Sequence, residues 1–282
     1  MSYKFIRITT YYDGYLKNYY ENFPDVIHLT YEEQLQHLSD NSVELTTSFN
    51  KCLKKLGVDS SEIISNAIPL QQRWAKEHNL DEDCSLEKLI SEQIKFYKPD
   101  IVWIDTTKLF NKAWVQSLRD GFSFLKLIVG HICSPYNSVI ENSFSSFDIM
   151  FTCTACTKKE LSEAGLNTEL IYHSFDPSIL DLVKHAENNF PQIDFLFTGS
   201  LYTGYGMHKS RIEYIEKILD SGIDLTIFGN LETYSKVLLK QSVYYIINFL
   251  KNIKCDFIID GLPILKNMKS MGKIKLVIIL IN

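Results

Sequence analysis

A glycine-rich stretch behind a short apolar run is the first feature of this 282-residue sequence whose residue types suit chemistry. Residues 194–198 predict a β-strand, and three glycines (Gly199, Gly204 and Gly206) follow before a helical pattern begins at His208. Glycines let backbone N–H groups approach a ligand closely, and a helix N-terminus attracts an anion such as a diphosphate. The spacing does not fit the GxGxxG dinucleotide fingerprint. The stretch therefore indicates either an anion-binding loop or a plain strand-to-helix turn.

Cys153 and Cys156 form a lone CxxC motif among six cysteines that are spread through the chain. A zinc or redox site would need a second pair or a histidine at ligand spacing, and the sequence offers neither. The motif is therefore interpreted as two small residues at the end of a buried strand. The wide spread of the cysteines also argues against a disulfide framework.

The elements that must position such loops are strands and helices in alternation. Continuous apolar runs at 101–104, 127–129 and 149–151 predict strands that are buried on both faces, as in a parallel sheet covered by helices. Helical patterns lie between them, and further strands are predicted at 5–9, 62–65 and 169–172. Repeated βαβ units predict a Rossmann-like, doubly wound α/β domain over residues 1–190.

Several residues mark helix ends. Ser85 is a suitable N-cap for a helix over 86–97, and Gly57 suits a helix C-terminus. Thr157 and Glu160 have the spacing of a capping box, which predicts a helix over 158–164 that Gly165 ends.

A second, incomplete Rossmann-like domain is predicted over residues 191–282. A polar linker over 176–192 precedes it, and the pattern then gives a strand at 194–198, a helix at 208–219 and a strand at 225–228. The remaining residues do not complete a second doubly wound sheet, so the chain looks shortened. Its unpaired strand edges predict self-association.

The charge is −5 overall, which argues against nucleic acid as a partner. The N-terminus lacks a signal-peptide core, and no apolar run approaches the ~20 residues of a spanning helix. These features predict a cytoplasmic protein. Residues 231–282 hold eight lysines against three acidic residues. That segment is interpreted either as a helical insertion without its packing partner or as a weak contact with the inner face of the membrane.

Several short segments resemble those of a known protein family in their order and spacing. They are 31–35, 63–67 with 69–71 and 74–75, 97–102, 174–177, and 194–201 with 227–230. Across about residues 3–230 the sequence resembles bacterial glycosyltransferases with two Rossmann-like domains (the GT-B kind), group 1, close to the spore-maturation-protein-like branch. The resemblance implies a hexosyltransferase-type enzyme for polysaccharide or glycoprotein assembly. Its first domain would bind the acceptor and its second a nucleotide-diphospho-sugar.

The resemblance also implies a mechanism without a metal or other cofactor. Helix N-termini and basic groups would hold the leaving diphosphate, while a group in the cleft polarises the acceptor hydroxyl. The expected donor-side residues are Gly199, Ser200, Leu201, Gly229 and Asn230.

Candidates on the acceptor side come from loops that follow strands. Asp13 and His131 are the candidate catalytic residues, and Tyr12, Gly14, Ser134 and His173 are candidate substrate-binding residues. Each has a plainer alternative: Asp13 before Gly14 suits a turn, and a lone histidine is more often structural. Asp105, at the end of a buried strand, is either a cleft residue or a helix cap.

One departure from the family concerns the donor side. A pair of glutamates expected beyond Asn230 is missing, since Glu232, Asp256 and Asp260 are the acids that follow. A shortened and inactive glycosyltransferase is therefore one hypothesis. A non-catalytic α/β binding or scaffold protein is another.

Overall fold

The computed structural model describes residues 3–42, 45–133, 143–177, 193–199 and 209–228, together with residues 180, 242, 245, 246, 249, 250, 252 and 253. The chain separates into two compact units, Met1–His185 and Ala186–Asn282. The predicted boundary after residue 190 falls outside the described residues. So does most of the chain after residue 228, and the predicted membrane contact and incomplete second domain therefore stay predictions.

Six parallel strands form the sheet of the first unit. They are β1 (Lys4–Thr9), β2 (Asp59–Ile64), β3 (Ile101–Ile104), β4 (Leu127–Ile132), β5 (Ile149–Thr152) and β6 (Thr168–Leu170). Their order across the sheet is β2-β1-β3-β4-β5-β6, and every neighbouring pair is parallel. The chain thus steps to one side of β1 and then returns to continue on the other side. This reversal defines a doubly wound, Rossmann-like sheet, and the predicted α/β class is confirmed.

Seven α-helices are described in this unit. They are α1 (Asp13–Asn22), α2 (Tyr31–Asp40), α3 (Leu45–Lys55), α4 (Ile68–Glu77), α5 (Leu86–Tyr97), α6 (Lys112–Gly121) and α7 (Ala155–Glu163), with short 3-10 turns at Pro24–His28 and Thr107–Leu109. Among the helices that the structure describes, none is long and apolar enough to cross a bilayer.

Helix caps confirm some predictions and correct one. The Ser85 side chain accepts a hydrogen bond from the Lys88 N–H at the start of α5, as predicted. Gly57 and Gly165 both have positive φ just beyond a helix, which also agrees with the sequence. The predicted start of α7 is wrong by three residues, because Thr154 is the N-cap and accepts from the Thr157 N–H.

One face of the sheet carries the larger core. Buried strand residues such as Ile8, Ile104 and Ile128 pack there with apolar side chains of α5, α6 and α7. A second core lies around α2 and α4, where Ile64, Leu70 and others bury the Trp74 ring. Together these two clusters fix the strands whose ends carry the candidate residues.

The opposite face carries polar and aromatic side chains. In the register, Arg7 of β1 is the partner of both Glu62 of β2 and Trp103 of β3. His131 of β4 is the partner of Phe151 of β5. Since alternate residues of a strand point to opposite faces, these side chains share one face of the sheet.

The second unit is a smaller βαβ element. Its strands β7 (Leu196–Thr198) and β8 (Thr226–Phe228) are parallel and are joined through α8 (Lys209–Asp220). Ile215, Leu225 and Ile227 form its buried core, with Phe197 packed against them. The predicted strand-helix-strand order is confirmed for these residues.

Candidate functional site

A cavity of about 850 Å³ opens at the carboxyl ends of the strands in the first unit. The residues that line it lie at or beyond the strand ends: Thr9 to Asp13 at and after the end of β1, Asn66 after β2, Asp105, Thr106 and Lys108 after β3, His131 to Cys133 at the end of β4, Ile171 to Ser174 after β6, and Arg7, Phe49 and Trp103 beside them. In doubly wound sheets, ligands bind at this edge where the strand order reverses, here between β1 and β3. The cavity therefore occupies the position that the fold favours for a ligand.

A buried cluster of three charged side chains lies around β1, and two of them, Arg7 and Asp105, line the cavity. The Arg7 guanidinium donates to Oδ2 of Asp105 from Nε at 2.8 Å, and it donates to Oε1 of Glu62 from Nη1 at 3.4 Å. All three side chains are at most 10% exposed. Burial raises the pKa of Glu62 to about 7, which outweighs the lowering by Arg7, and the Asp105 carboxylate raises this pKa further. The cluster ties β1, β2 and β3 together at the cavity.

Aromatic rings line the cavity next to these charges. The Arg7 guanidinium lies 4.7 Å from the centre of the Phe49 ring. Trp103 stacks on Phe151 with 5.1 Å between ring centres, and His131 lies 5.4 Å from Trp103. Aromatic walls with a few convergent polar groups are typical of small-ligand sites.

Asn66 holds the loop that follows β1. Its side-chain oxygen accepts from the Tyr11 N–H at 3.0 Å, and its amide donates to the Tyr11 carbonyl at 2.7 Å and to Oδ1 of Asp13 at 2.9 Å. The Asn66 side chain thus pairs with both the N–H and the carbonyl of Tyr11, as the backbone of a neighbouring strand would. It fixes the direction of the Asp13 carboxylate at the cavity wall.

The structure brings Tyr12 and Asp13 to the cavity but corrects the loop predicted around them. Helix α1 begins at Asp13, so Asp13 and Gly14 lie in its first turn rather than in a turn between elements. The positive dipole end of a helix favours a carboxylate there. Gly14 does not line the cavity, and a Cβ at this position would have no atom within 4 Å.

His131 lines the cavity at the end of β4. Burial lowers its pKa to about 4, although nearby Asp105 raises it, so the ring is neutral near pH 7. Its Nε2 lies 3.2 Å from Sγ of Cys133. The neutral ring suits hydrogen bonding, and its catalytic role stays a prediction.

Three further side chains converge at the same edge of the sheet. The ligand atoms of Cys133, Cys153 and His173 all lie within 4.8 Å of one another. Burial raises the pKa of the Cys133 thiol to about 12, and a hydrogen bond with Cys153 raises it as well. The sequence shows no histidine at ligand spacing from the CxxC motif, whereas the fold places His173 beside Cys153. The motif's other cysteine, Cys156, lies in α7 with its thiol 3.6 Å from Glu160.

In the second unit, Gly199 follows β7 directly, as predicted. Its φ is +153°, and a Cβ there would lie 3.3 Å from the Phe197 ring. The other predicted donor-side residues, Ser200, Leu201, Gly229 and Asn230, lie outside the described residues, as does Ser134 of the first unit. Their assignments stay predictions.

Sequence reasoning missed Arg7, Asn66 and Trp103. The sequence left two roles open for Asp105, a cleft residue or a helix cap. In the structure Asp105 lines the cavity and pairs with Arg7, as expected of a cleft residue. The sequence did hold a signal for Arg7, since it is an arginine within a strand pattern. A strand with neighbours on both sides buries such a charge, and a buried charge needs partners of opposite charge.

The fold and site define a doubly wound α/β protein with a ligand cavity at its switch point. No family model and no curated protein sequence matches the chain. Among solved structures, the chain is similar to a lipopolysaccharide outer core galactosyltransferase, WaaB, in its apo form. The TM-score is 0.35 and the identity 11%, and the match covers 85% of this chain and 71% of that chain. The fold assignment follows from the strand order, and a likeness at this level adds no evidence about activity.

Proposed function

We propose that this chain is a glycosyltransferase of the GT-B kind that moves a sugar from a nucleotide-diphospho-sugar to a glycan or protein acceptor. The observation that carries the proposal is the cavity of about 850 Å³ at the switch point of the first unit. It joins aromatic surface to buried charge, and this combination suits a ligand with apolar faces and many hydroxyl groups. The family resemblance of the sequence supplies the reaction.

The acceptor would bind in this cavity. Trp103 and Phe49 offer aromatic surface, and Asp13 offers a carboxylate whose direction is fixed by Asn66. A carboxylate in hydrogen-bond reach of an acceptor hydroxyl can take its proton as the hydroxyl attacks the sugar carbon. Asp13 is therefore the proposed base, and Tyr12, His131 and His173 would contact the acceptor.

The nucleotide-sugar would bind to the second unit. Gly199 directly follows β7, and in this proposal the residues between Gly199 and α8 present backbone N–H groups to the diphosphate. In this proposal Ser200, Leu201, Gly229 and Asn230 complete that binding surface. The leaving diphosphate is stabilised by these donors, and no metal takes part in the transfer.

Binding and turnover are tested separately. The purified chain is titrated with UDP-sugars and GDP-sugars while its melting temperature is recorded, because a ligand of the folded state raises that temperature with its concentration. Release of the nucleoside diphosphate is then measured in the presence of glycan acceptors. Replacement of Asp13 by Asn should lower the transfer rate about 10²-fold to 10⁴-fold, as expected for a lost general base.

Asp25→Asn is the matched control, since Asp25 is exposed and does not line the cavity. It should leave transfer unchanged. Unaltered melting with every nucleotide and nucleotide-sugar would overturn the proposal in favour of a non-catalytic binding protein. Transfer that is equal in wild type and Asp13→Asn would remove Asp13 as the base but leave the enzyme class in place.

A further inference from the structure

Soft metal ligands gather where three neighbouring strands end. Cys133 follows β4 directly, Cys153 follows β5 directly, and His173 comes three residues after β6. In the register Ile132 is the partner of Thr152, so the two cysteines occupy equivalent positions on adjacent strands. Parallel neighbours lie about 4.8 Å apart, which places both thiols on one face.

The distances suit a single ion. The ligand atoms of Cys133, Cys153 and His173 all lie within 4.8 Å of one another. Zinc bonds to sulfur at about 2.3 Å and to imidazole nitrogen at about 2.0 Å, so tetrahedral ligand atoms stand roughly 3.5 Å apart. Side-chain adjustments of about 1 Å would close the three ligands around such an ion.

His131 offers a fourth donor beside Cys133, although it lies outside the group of three ligands that are within 4.8 Å of one another. Nε2 of His131 lies 3.2 Å from Sγ of Cys133, close to the separation of two ligands on one tetrahedral metal. Two thiolates and two imidazoles are a ligand set that zinc favours over harder divalent ions. Cys133 and His173 are exposed, which gives an ion a path to the site.

We propose that Cys133, Cys153 and His173 bind a zinc ion at the rim of the cavity, and that the His131 side chain turns toward the ion to complete the set as its fourth ligand. The ion would clamp the carboxyl ends of β4, β5 and β6 to one another. It would thereby fix the wall of the cavity that these strands provide. The ion takes no part in the proposed sugar transfer, but its site shares His131 and His173 with the proposed acceptor contacts, so bound zinc would shape that part of the cavity.

Cobalt provides the direct test. The full chain, reduced and freed of metal, is titrated with Co²⁺ and the near-ultraviolet charge-transfer absorption of a cobalt–thiolate bond is followed. We expect equimolar binding, displacement by Zn²⁺, and an absorption at least halved in Cys133→Ser and in Cys153→Ser, because each variant removes one of the two thiolates. Bound zinc should also raise the melting temperature of the wild-type chain.

Cys156→Ser is the matched control, because this exposed cysteine lies three residues from Cys153 in the CxxC motif and outside the ligand group. It should bind cobalt as wild type does. Circular dichroism and urea unfolding without metal check that each variant folds, so a lost absorption reports a lost ligand.

Three results would overturn the proposal. One is a wild-type chain without thiolate absorption, and another is equal absorption in Cys153→Ser. The third is a Cys133–Cys153 disulfide, found by mass mapping, whose reduction yields no zinc binding. Each result concerns metal binding alone, so it leaves the glycosyltransferase assay to be judged separately.

Discussion

Arg7 and Asp105 form a two-donor ion pair, in which Nε and Nη2 of the guanidinium both donate to Oδ2 of the carboxylate, at 2.8 Å and 2.5 Å. The pair joins β1 to the residue that follows the neighbouring strand β3. Both side chains are nearly buried, and both line the cavity. The same contact therefore serves the stability of the sheet and the shape of the site.

Replacement of Arg7 by Met should lower the free energy of unfolding by about 3–5 kcal/mol, because it leaves the buried carboxylates of Asp105 and Glu62 without their cation. Urea unfolding measures the change. Lys159→Met is the control, since Lys159 pairs with Glu163 on the exposed surface of α7. It should unfold as wild type does. Equal midpoints for wild type and Arg7→Met would show that the buried cluster contributes nothing.

The free energy of unfolding should depend on pH through the ionisation of Glu62. Its pKa is raised to about 7 in the folded chain from 4.5, chiefly by burial. The folded state then holds the proton more tightly than the unfolded state does. This contribution to stability is complete below the unfolded pKa and is lost as the pH rises through the folded pKa.

The free energy of unfolding of wild type should therefore fall between about pH 5 and about pH 8 relative to Glu62→Gln, which cannot ionise. Urea unfolding of both proteins across this range gives the difference. Parallel pH profiles for the two proteins would contradict the assignment. The amide keeps the size of the carboxyl group, so a change in packing does not explain the difference.

Asn66→Ala should loosen the start of α1. The variant removes the three hydrogen bonds to Tyr11 and Asp13, at an expected cost of about 1–3 kcal/mol. Hydrogen exchange at the Tyr11 amide should become faster, because that N–H donates to the lost side-chain oxygen. Asn167→Ala is the control, since its amide makes one exposed hydrogen bond, to the Asp148 carbonyl. A Tyr11 amide that exchanges as slowly as in wild type would refute this role.

Gly130→Ala should destabilise the core beneath β4. A Cβ at Gly130 would collide with the Met150 sulfur and approach the Phe147 ring to 3.1 Å. Overpacking of this kind costs about 1–3 kcal/mol, measurable by thermal or urea unfolding. Gly121→Ala is the control, since Gly121 ends α6 and a Cβ at this position would have no atom within 4 Å. It should be neutral or slightly stabilising, and similar losses in both variants would remove the packing explanation.

The strands were the most predictable part of the fold, because continuous apolar runs such as Ile101–Ile104 are typical of parallel strands in a sheet that helices cover. The ends of the helices were less predictable from the sequence. Near the start of α7, the hydroxyls of Thr154 and Thr157 are both suited to capping, and spacing alone did not show which residue is the N-cap.

The candidate site was predictable only in part. Tyr12, Asp13, His131 and His173 could be found because polar residues after strands gather at one edge of a parallel sheet. For Arg7 the strand pattern offered a signal, but its pairing with Glu62 and Asp105 was not predictable, since those partners lie far away in sequence. Cys133 and Cys153 are twenty residues apart, and only the strand register brings them together.

The fluorescence of Trp103, which lines the cavity, should respond to a molecule bound there. The chain has three tryptophans, and the other two, Trp74 and Trp114, are buried away from the cavity lining. A variant with both of those replaced by Phe would emit from a single indole in contact with bound molecules. Changes in its fluorescence would then follow the filling of the cavity in real time.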